Sequence, residues 1–86
     1  DKQGDTPLHL AACQGHAKVA RALLDEGASV DAANNYRRTP LVFAVRRKKY
    51  NVVRVLLKAG ANRNRLTDAQ NEWIDAEERD MLMHNG

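Results

Sequence analysis

Residues 1–33 read DKQGDTPLHLAACQGHAKVARALLDEGASVDAA, and the 33 residues that follow, NNYRRTPLVFAVRRKKYNVVRVLLKAGANRNRL, repeat them in outline. Thr39-Pro40-Leu41 restates Thr6-Pro7-Leu8, Ala44 meets Ala11, and Val52 meets Val19. Leu56-Leu57 meets Leu23-Leu24, and Gly60-Ala61 meets Gly27-Ala28. Self-similarity at a fixed period of this length marks a stacked array, in which each supersecondary unit buries its apolar face against its neighbours.

Each unit predicts two short helices. Pro7 suits the first helical position, where its missing N–H has no partner to lose, and Thr6 before it is an N-cap. Leu8, Ala11 and Ala12 then put small residues on the packing side of an inner helix. Gly15 ends that helix in a left-handed conformation. Val19, Ala22 and Leu23 stand at the i, i+3, i+4 spacing of one buried stripe on an outer helix, which Gly27 stops. The second unit keeps the skeleton, with Val52, Val55 and Leu56 as its stripe. It places Arg37 where the first unit has Gly4, and Lys48 where it has Gly15. If those backbone positions keep φ > 0, each non-Gly residue costs roughly 1 kcal/mol.

The first unit closely resembles the ankyrin pattern D-x-x-G-x-T-P-L-H-L-A-A-x-x-G-H…L-L-x-x-G-A, whose unit is a β-turn and two helices over about 33 residues. The resemblance is strong over 1–33, good over 34–66 and thin beyond. It implies an all-α solenoid of stacked helix–turn–helix units with short β-turn or hairpin connections. The expected organisation is an ankyrin repeat at 1–33, a strongly basic one at 34–66, and a degenerate C-terminal capping segment at 67–86. In that last segment Ile74 keeps the apolar position of Leu8, and Asn71–Asn85 reads as one helix with Ile74 and Met81 inward. A polar final unit closes the apolar end of a solenoid against water. Stable arrays usually hold at least three units, so further repeats before Asp1 are expected. The resemblance also gives His9 and His16 structural roles in inter-repeat bonding and capping. Val42 replaces His9 in the second unit, so its bond should be missing there.

Charge is segregated. The net charge is +3, yet no acid lies between Asp31 and Asp68, a span with Arg37, Arg38, Arg46, Arg47, Lys48, Lys49, Arg54, Lys58, Arg63 and Arg65. A block of one sign repels itself unless neighbouring acids or a partner compensate. A hydrophobic content of 43% with 29% charged residues fits a folded domain in water. No apolar run approaches the roughly 20 residues of a membrane span. The one cysteine, Cys13, favours a reducing compartment, cytoplasm or nucleus.

Catalytic readings find little support. His9, Cys13 and His16 at i, i+4 and i+7 could form a metal or thiol site, but Gly15 should break the helix before His16. Asp75, Glu77, Glu78 and Asp80 cluster in sequence without a pocket and read as a solvated helix face. No phosphate-cradling loop, nucleophile elbow or HExxH motif is present. Neither an enzyme nor a cofactor or metal site is expected.

Arg46-Arg47-Lys48-Lys49 read alone suggests a nuclear-localisation or nucleic-acid patch. In a folded unit these residues end the inner helix and form the following turn. Nucleic acid would also want aromatic stacking, and only Tyr36 and Tyr50 are near. The ankyrin resemblance implies a concave ridge of turn tips and inner-helix faces that binds other proteins. Position by position it comprises Lys2, Gln3, Asp5, Cys13 and Gln14 from the first unit. Asn35, Tyr36, Arg38, Arg46 and Arg47 come from the second. Tyr and Arg are enriched in interface hot spots, and Arg clasps a carboxylate with two parallel bonds. The expected function is therefore a monomeric, non-catalytic module binding an acidic protein surface. The alternatives are a nucleic-acid-associated or transcription-regulatory module, similar to inhibitors of Rel-type factors, and a purely architectural repeat.

Overall fold

Thr6 and Thr39 stand in extended backbone, at φ −82° and −96°, each accepting an N–H from the first turn of a helix that begins with proline. The computed structural model describes residues 2–84 and places five helices in that span. These are α1 (Pro7–Gln14), α2 (Ala17–Asp25), α3 (Pro40–Arg46), α4 (Tyr50–Lys58) and α5 (Asp68–His84). No strand occurs among the described residues, and the architecture is all-α as expected.

The inner helices α1 and α3 lie against one another, as do the outer helices α2 and α4, and α5 packs on α4. Helices of seven to nine residues are too short to persist alone, so packing must hold them. Ala11, Ala12 and Ala44 are buried between helices, where small side chains let the backbones approach. Leu8, Leu41 and Leu56 fill the remaining space. Fully burying such a side chain contributes about 1.5–3 kcal/mol.

The two units close their inner helices in the same way with different residues. Gly15 takes φ 78°, and the next N–H, of His16, reaches back to the Ala11 carbonyl at 3.0 Å. Lys48 adopts φ 59° at the equivalent point, and Lys49 N–H reaches the Ala44 carbonyl at 2.8 Å. Arg37 likewise keeps the left-handed conformation of Gly4, at φ 61° against 77°. The strain expected at both positions is present.

Two expectations need correcting. The stripe on α2 is not Val19, Ala22 and Leu23, since Val19 is half exposed and Ala22 is exposed. The face turned inward holds Ala20, with Leu23 and Leu24 partly covered. At the matching positions of α4, Val52 and Val55 are buried because α2 lies in front of them. No described helix stands in front of α2.

The other correction is the start of α5. It begins at Asp68 rather than Asn71. Thr67 N–H donates to the Gln70 side-chain carbonyl at 2.9 Å, and Gln70 N–H donates to Thr67 Oγ1 at 3.1 Å. This reciprocal capping box sets the first turn three residues early. The expected end at Asn85 lies outside the described residues. Ile74 is fully buried and Met81 partly so, in keeping with the expected inward face.

Candidate functional site

The turn between the two helix pairs is built on Asn34, which is only 6% exposed. Its Oδ1 accepts the N–H groups of Tyr36 (2.8 Å) and Arg38 (2.9 Å), and its Nδ2 donates to Asp5 Oδ1 at 2.9 Å. One buried amide thus shapes the turn and ties it to the first unit. Held this way, Tyr36 is 62% exposed, with the Arg38 guanidinium 5.4 Å from its ring centroid.

His9 fixes the same turn from below. Its Nδ1 accepts Thr6 N–H at 3.0 Å, which leaves the ring proton on Nε2 to donate to the Arg38 carbonyl at 2.8 Å. The ring also meets Phe43 edge-on, 5.3 Å between centroids. Both imidazole nitrogens are therefore engaged, which removes His9 from any metal or nucleophile trio with Cys13 and His16. His16 begins α2 without a side-chain capping bond, contrary to its expected role. Val42 is buried and apolar, so the second unit lacks the bond that His9 makes.

Above this frame α1 and α3 enclose a groove of about 580 Å³, lined by Gln3, Asp5, Leu10, Cys13, Arg38, Phe43, Arg46 and Arg47. Six of the ten ridge residues read from the sequence meet in it. Lys2, Gln14, Asn35 and Tyr36 do not line it. Asn35 is instead occupied in joining the units: its N–H donates to the Gln3 carbonyl at 2.8 Å and its Nδ2 to the Lys2 carbonyl at 3.1 Å. Leu10 and Phe43 are lining residues that the sequence reading missed. They occupy equivalent positions of the two units, as do Asp5 and Arg38, and Cys13 and Arg46. Leu10 is 47% exposed although the rest of the apolar inner-helix face is buried. Recurrence of an apolar residue at that offset, outside the buried stripe, was the available signal.

The groove is polarised along the stack. Unit one lines it with Gln3, Asp5, Leu10 and Cys13, and unit two with Arg38, Phe43, Arg46 and Arg47. The guanidiniums of Arg46 and Arg47 form no ion pair or hydrogen bond with the described residues. Arg63, another member of the basic block, is already used. It donates to Asn71 Oδ1 at 2.7 Å, to the Asn71 carbonyl at 3.2 Å and to Asp75 Oδ1 at 3.2 Å.

A second concavity of about 300 Å³ lies between α4 and α5, lined by Tyr50, Arg54, Leu57, Lys58, Glu78, Met81 and Leu82. Burial pushes the Tyr50 phenol above its ordinary pKa, and the Glu78 carboxylate adds to the shift. Trp73 meets Tyr50 edge-on at 6.1 Å, and Lys48 Nζ lies 4.6 Å above the Trp73 ring. The left-handed backbone at Lys48 thus coincides with a cation–π contact to α5.

A family model described as ankyrin repeats (3 copies) matches residues 1–67. The chain belongs to the ankyrin repeat family. Ankyrin repeats are non-enzymatic modules that mediate protein–protein interaction, and the groove lies between two of them. Among similar proteins is a transient receptor potential cation channel subfamily A member 1 homolog of Caenorhabditis elegans. It is 43% identical over 61 residues, covering 71% of this chain and 5% of the relative. Human B-cell lymphoma 3 protein is 42% identical over 66 residues, 72% of this chain and 14% of the relative. E3 ubiquitin-protein ligase XB3 of Oryza sativa subsp. japonica is 44% identical over 55 residues, 64% and 12%. The ankyrin chain therefore spans a small part of each relative. A channel and a ubiquitin ligase share this segment without sharing an activity, so the likeness lies in the repeat. No helix among the described residues is long and apolar enough to cross a membrane.

Proposed function

We propose that this chain is a non-catalytic protein-binding module whose partner presents carboxylates to the ridge of residues 34–66. The observation that supports this most directly is the trio Arg38, Arg46 and Arg47 lining one groove, with the last two unpaired among the described residues. Arg receives carboxylates bidentately and is less strongly hydrated than Lys, so it suits a desolvated contact. Tyr36, exposed beside Arg38, offers large area at low entropy cost. Lys2, Gln3, Asp5, Cys13, Gln14 and Asn35 form the rest of the contact rim. The reading further divides the chain into units at 1–33 and 34–66 with a closing segment at 67–86. It takes the module to be monomeric and to work in the cytoplasm, the nucleus or both.

The test is affinity capture from nuclease-treated cytosolic and nuclear extracts. One bait is the intact chain and the other carries Tyr36→Ala, Arg46→Glu and Arg47→Glu, each verified as folded by circular dichroism. Affinity for the captured protein should fall more than about tenfold in the variant, the scale expected for losing hot-spot contacts. Equal capture by both baits refutes the ridge as the binding surface. Capture found only from parallel extracts left without nuclease points instead to a nucleic-acid bridge, whose affinity would fall steeply with salt.

A further inference from the structure

We propose that the groove between α1 and α3 reads a short extended segment of the partner in which one bulky apolar side chain is flanked by carboxylates. This rests on the protein-binding reading above and narrows it from an acidic surface to an acidic, singly apolar segment.

Three features of the groove point there. It has an apolar floor, Leu10 and Phe43, shared between the two units. Leu10 keeps 47% of its surface in water, a cost that a partner's apolar side chain would relieve. A flat acidic surface could reach the arginines at the rim without touching this floor.

The charges are set beside the floor. Phe43 and Arg46 lie three residues apart on α3, and Arg47 one further, so guanidiniums rise from the same stretch of helix as the aromatic ring. Arg38 enters from the turn, its backbone held by Asn34 and His9. A side chain seated between Leu10 and Phe43 would therefore bring its flanking residues under Arg38, Arg46 and Arg47. A volume of about 580 Å³ lies within the roughly 300–1,000 Å³ of ligand-holding clefts.

The experiment is fluorescence anisotropy with the purified chain and three labelled synthetic peptides. The first holds one Phe among Asp and Glu, the second replaces that Phe by Ala, and the third keeps Phe among Gln and Ser. The first should bind about tenfold or more tighter than either control, the scale of one buried aromatic side chain. Leu10→Ser, at an exposed position that need not disturb folding, should erase the Phe-over-Ala preference and leave a weak, salt-sensitive attraction to the acids. Arg46→Glu with Arg47→Glu should erase the preference for acids. Equal binding of the Phe and Ala peptides overturns the inference and leaves the acidic-partner reading standing. A Phe preference that survives Leu10→Ser overturns it too. Failure of all three peptides also overturns it, and the acidic-partner reading is then judged by the capture experiment alone.

Discussion

The Nε2 of His9 lies 2.8 Å from the carbonyl oxygen of Arg38, so a buried imidazole in the first inner helix holds the turn that delivers a groove arginine from the second unit. Through Nδ1 the same ring receives Thr6 N–H and braces its own N-cap. Fold and site meet at this residue.

Replacing His9 by Leu keeps an apolar side chain of similar reach but leaves Thr6 N–H and one acceptor site on Arg38 without partners. Leaving such groups unsatisfied in a buried setting costs about 2 kcal/mol. Urea denaturation of His9→Leu should show that loss. A change below about 0.5 kcal/mol, the range of an ordinary surface substitution, would mean that water replaces the imidazole at no penalty. The variant should also weaken groove binding, because Arg38 keeps its bonds to Asn34 but loses the one to His9.

Arg37 and Lys48 hold left-handed backbone, at φ 61° and 59°, where the first unit uses glycine. Arg37→Gly should stabilise the chain by about 1 kcal/mol through relief of that strain. Lys48→Gly gains the same relief but gives up the contact of Nζ with the Trp73 ring at 4.6 Å. An exposed cation–π contact contributes about 0.5–1 kcal/mol, so the net change at Lys48 should be near zero. Chemical denaturation of the two single variants measures the difference, and equal gains would show that the Trp73 contact contributes nothing.

Much of this was written in the sequence because it depends on local chemistry. The caps at Thr6 and Thr39 and the left-handed positions at Arg37 and Lys48 follow from the residue types and the repeat offset. The exposure of Val19 did not follow. A helical stripe shows which face is apolar, and whether that face is covered depends on a neighbouring helix, as Val52 has in α2 and Val19 lacks. The cap of α5 is legible in the sequence, since Thr67 followed three residues later by Gln70 is the pattern of a capping box. The groove floor was hidden for another reason. Leu10 and Phe43 look like core residues in a one-dimensional pattern, and only the packing of α1 beside α3 brings the half-exposed Leu10 and the partly buried Phe43 to one groove.

Arg63 joins the last turn of the second unit to α5 through three contacts, of which the two to Asn71 measure 2.7 and 3.2 Å. The third, to Asp75, is a partly exposed ion pair, with relative side-chain exposures of 35% and 51%. Exposed pairs contribute little, and side chains bonded to a backbone carbonyl contribute more. Arg63→Ala should therefore cost about 1 kcal/mol, and Asp75→Asn less than about 0.5 kcal/mol. Amide hydrogen exchange should locate the loosening from Arg63→Ala in the first half of α5. A larger loss from Asp75→Asn would assign the joint to the ion pair instead.

Tyr50 reports on the packing of α5 through its ionisation. Burial, then Glu78, holds its phenol above the ordinary value of about 10. A raised folded pKa favours the protonated folded state, so this contribution is complete below about pH 10 and declines as pH rises through the folded value. Tyr36→Phe leaves Tyr50 as the only tyrosine, and an ultraviolet absorbance titration of that variant should give a midpoint above 10. Adding Glu78→Gln should move the midpoint down without bringing it back to the ordinary value, since burial is the larger cause. A midpoint unmoved by Glu78→Gln would place that carboxylate too far from Tyr50 to act. A midpoint at the ordinary value in the parent would mean that α5 does not cover the ring.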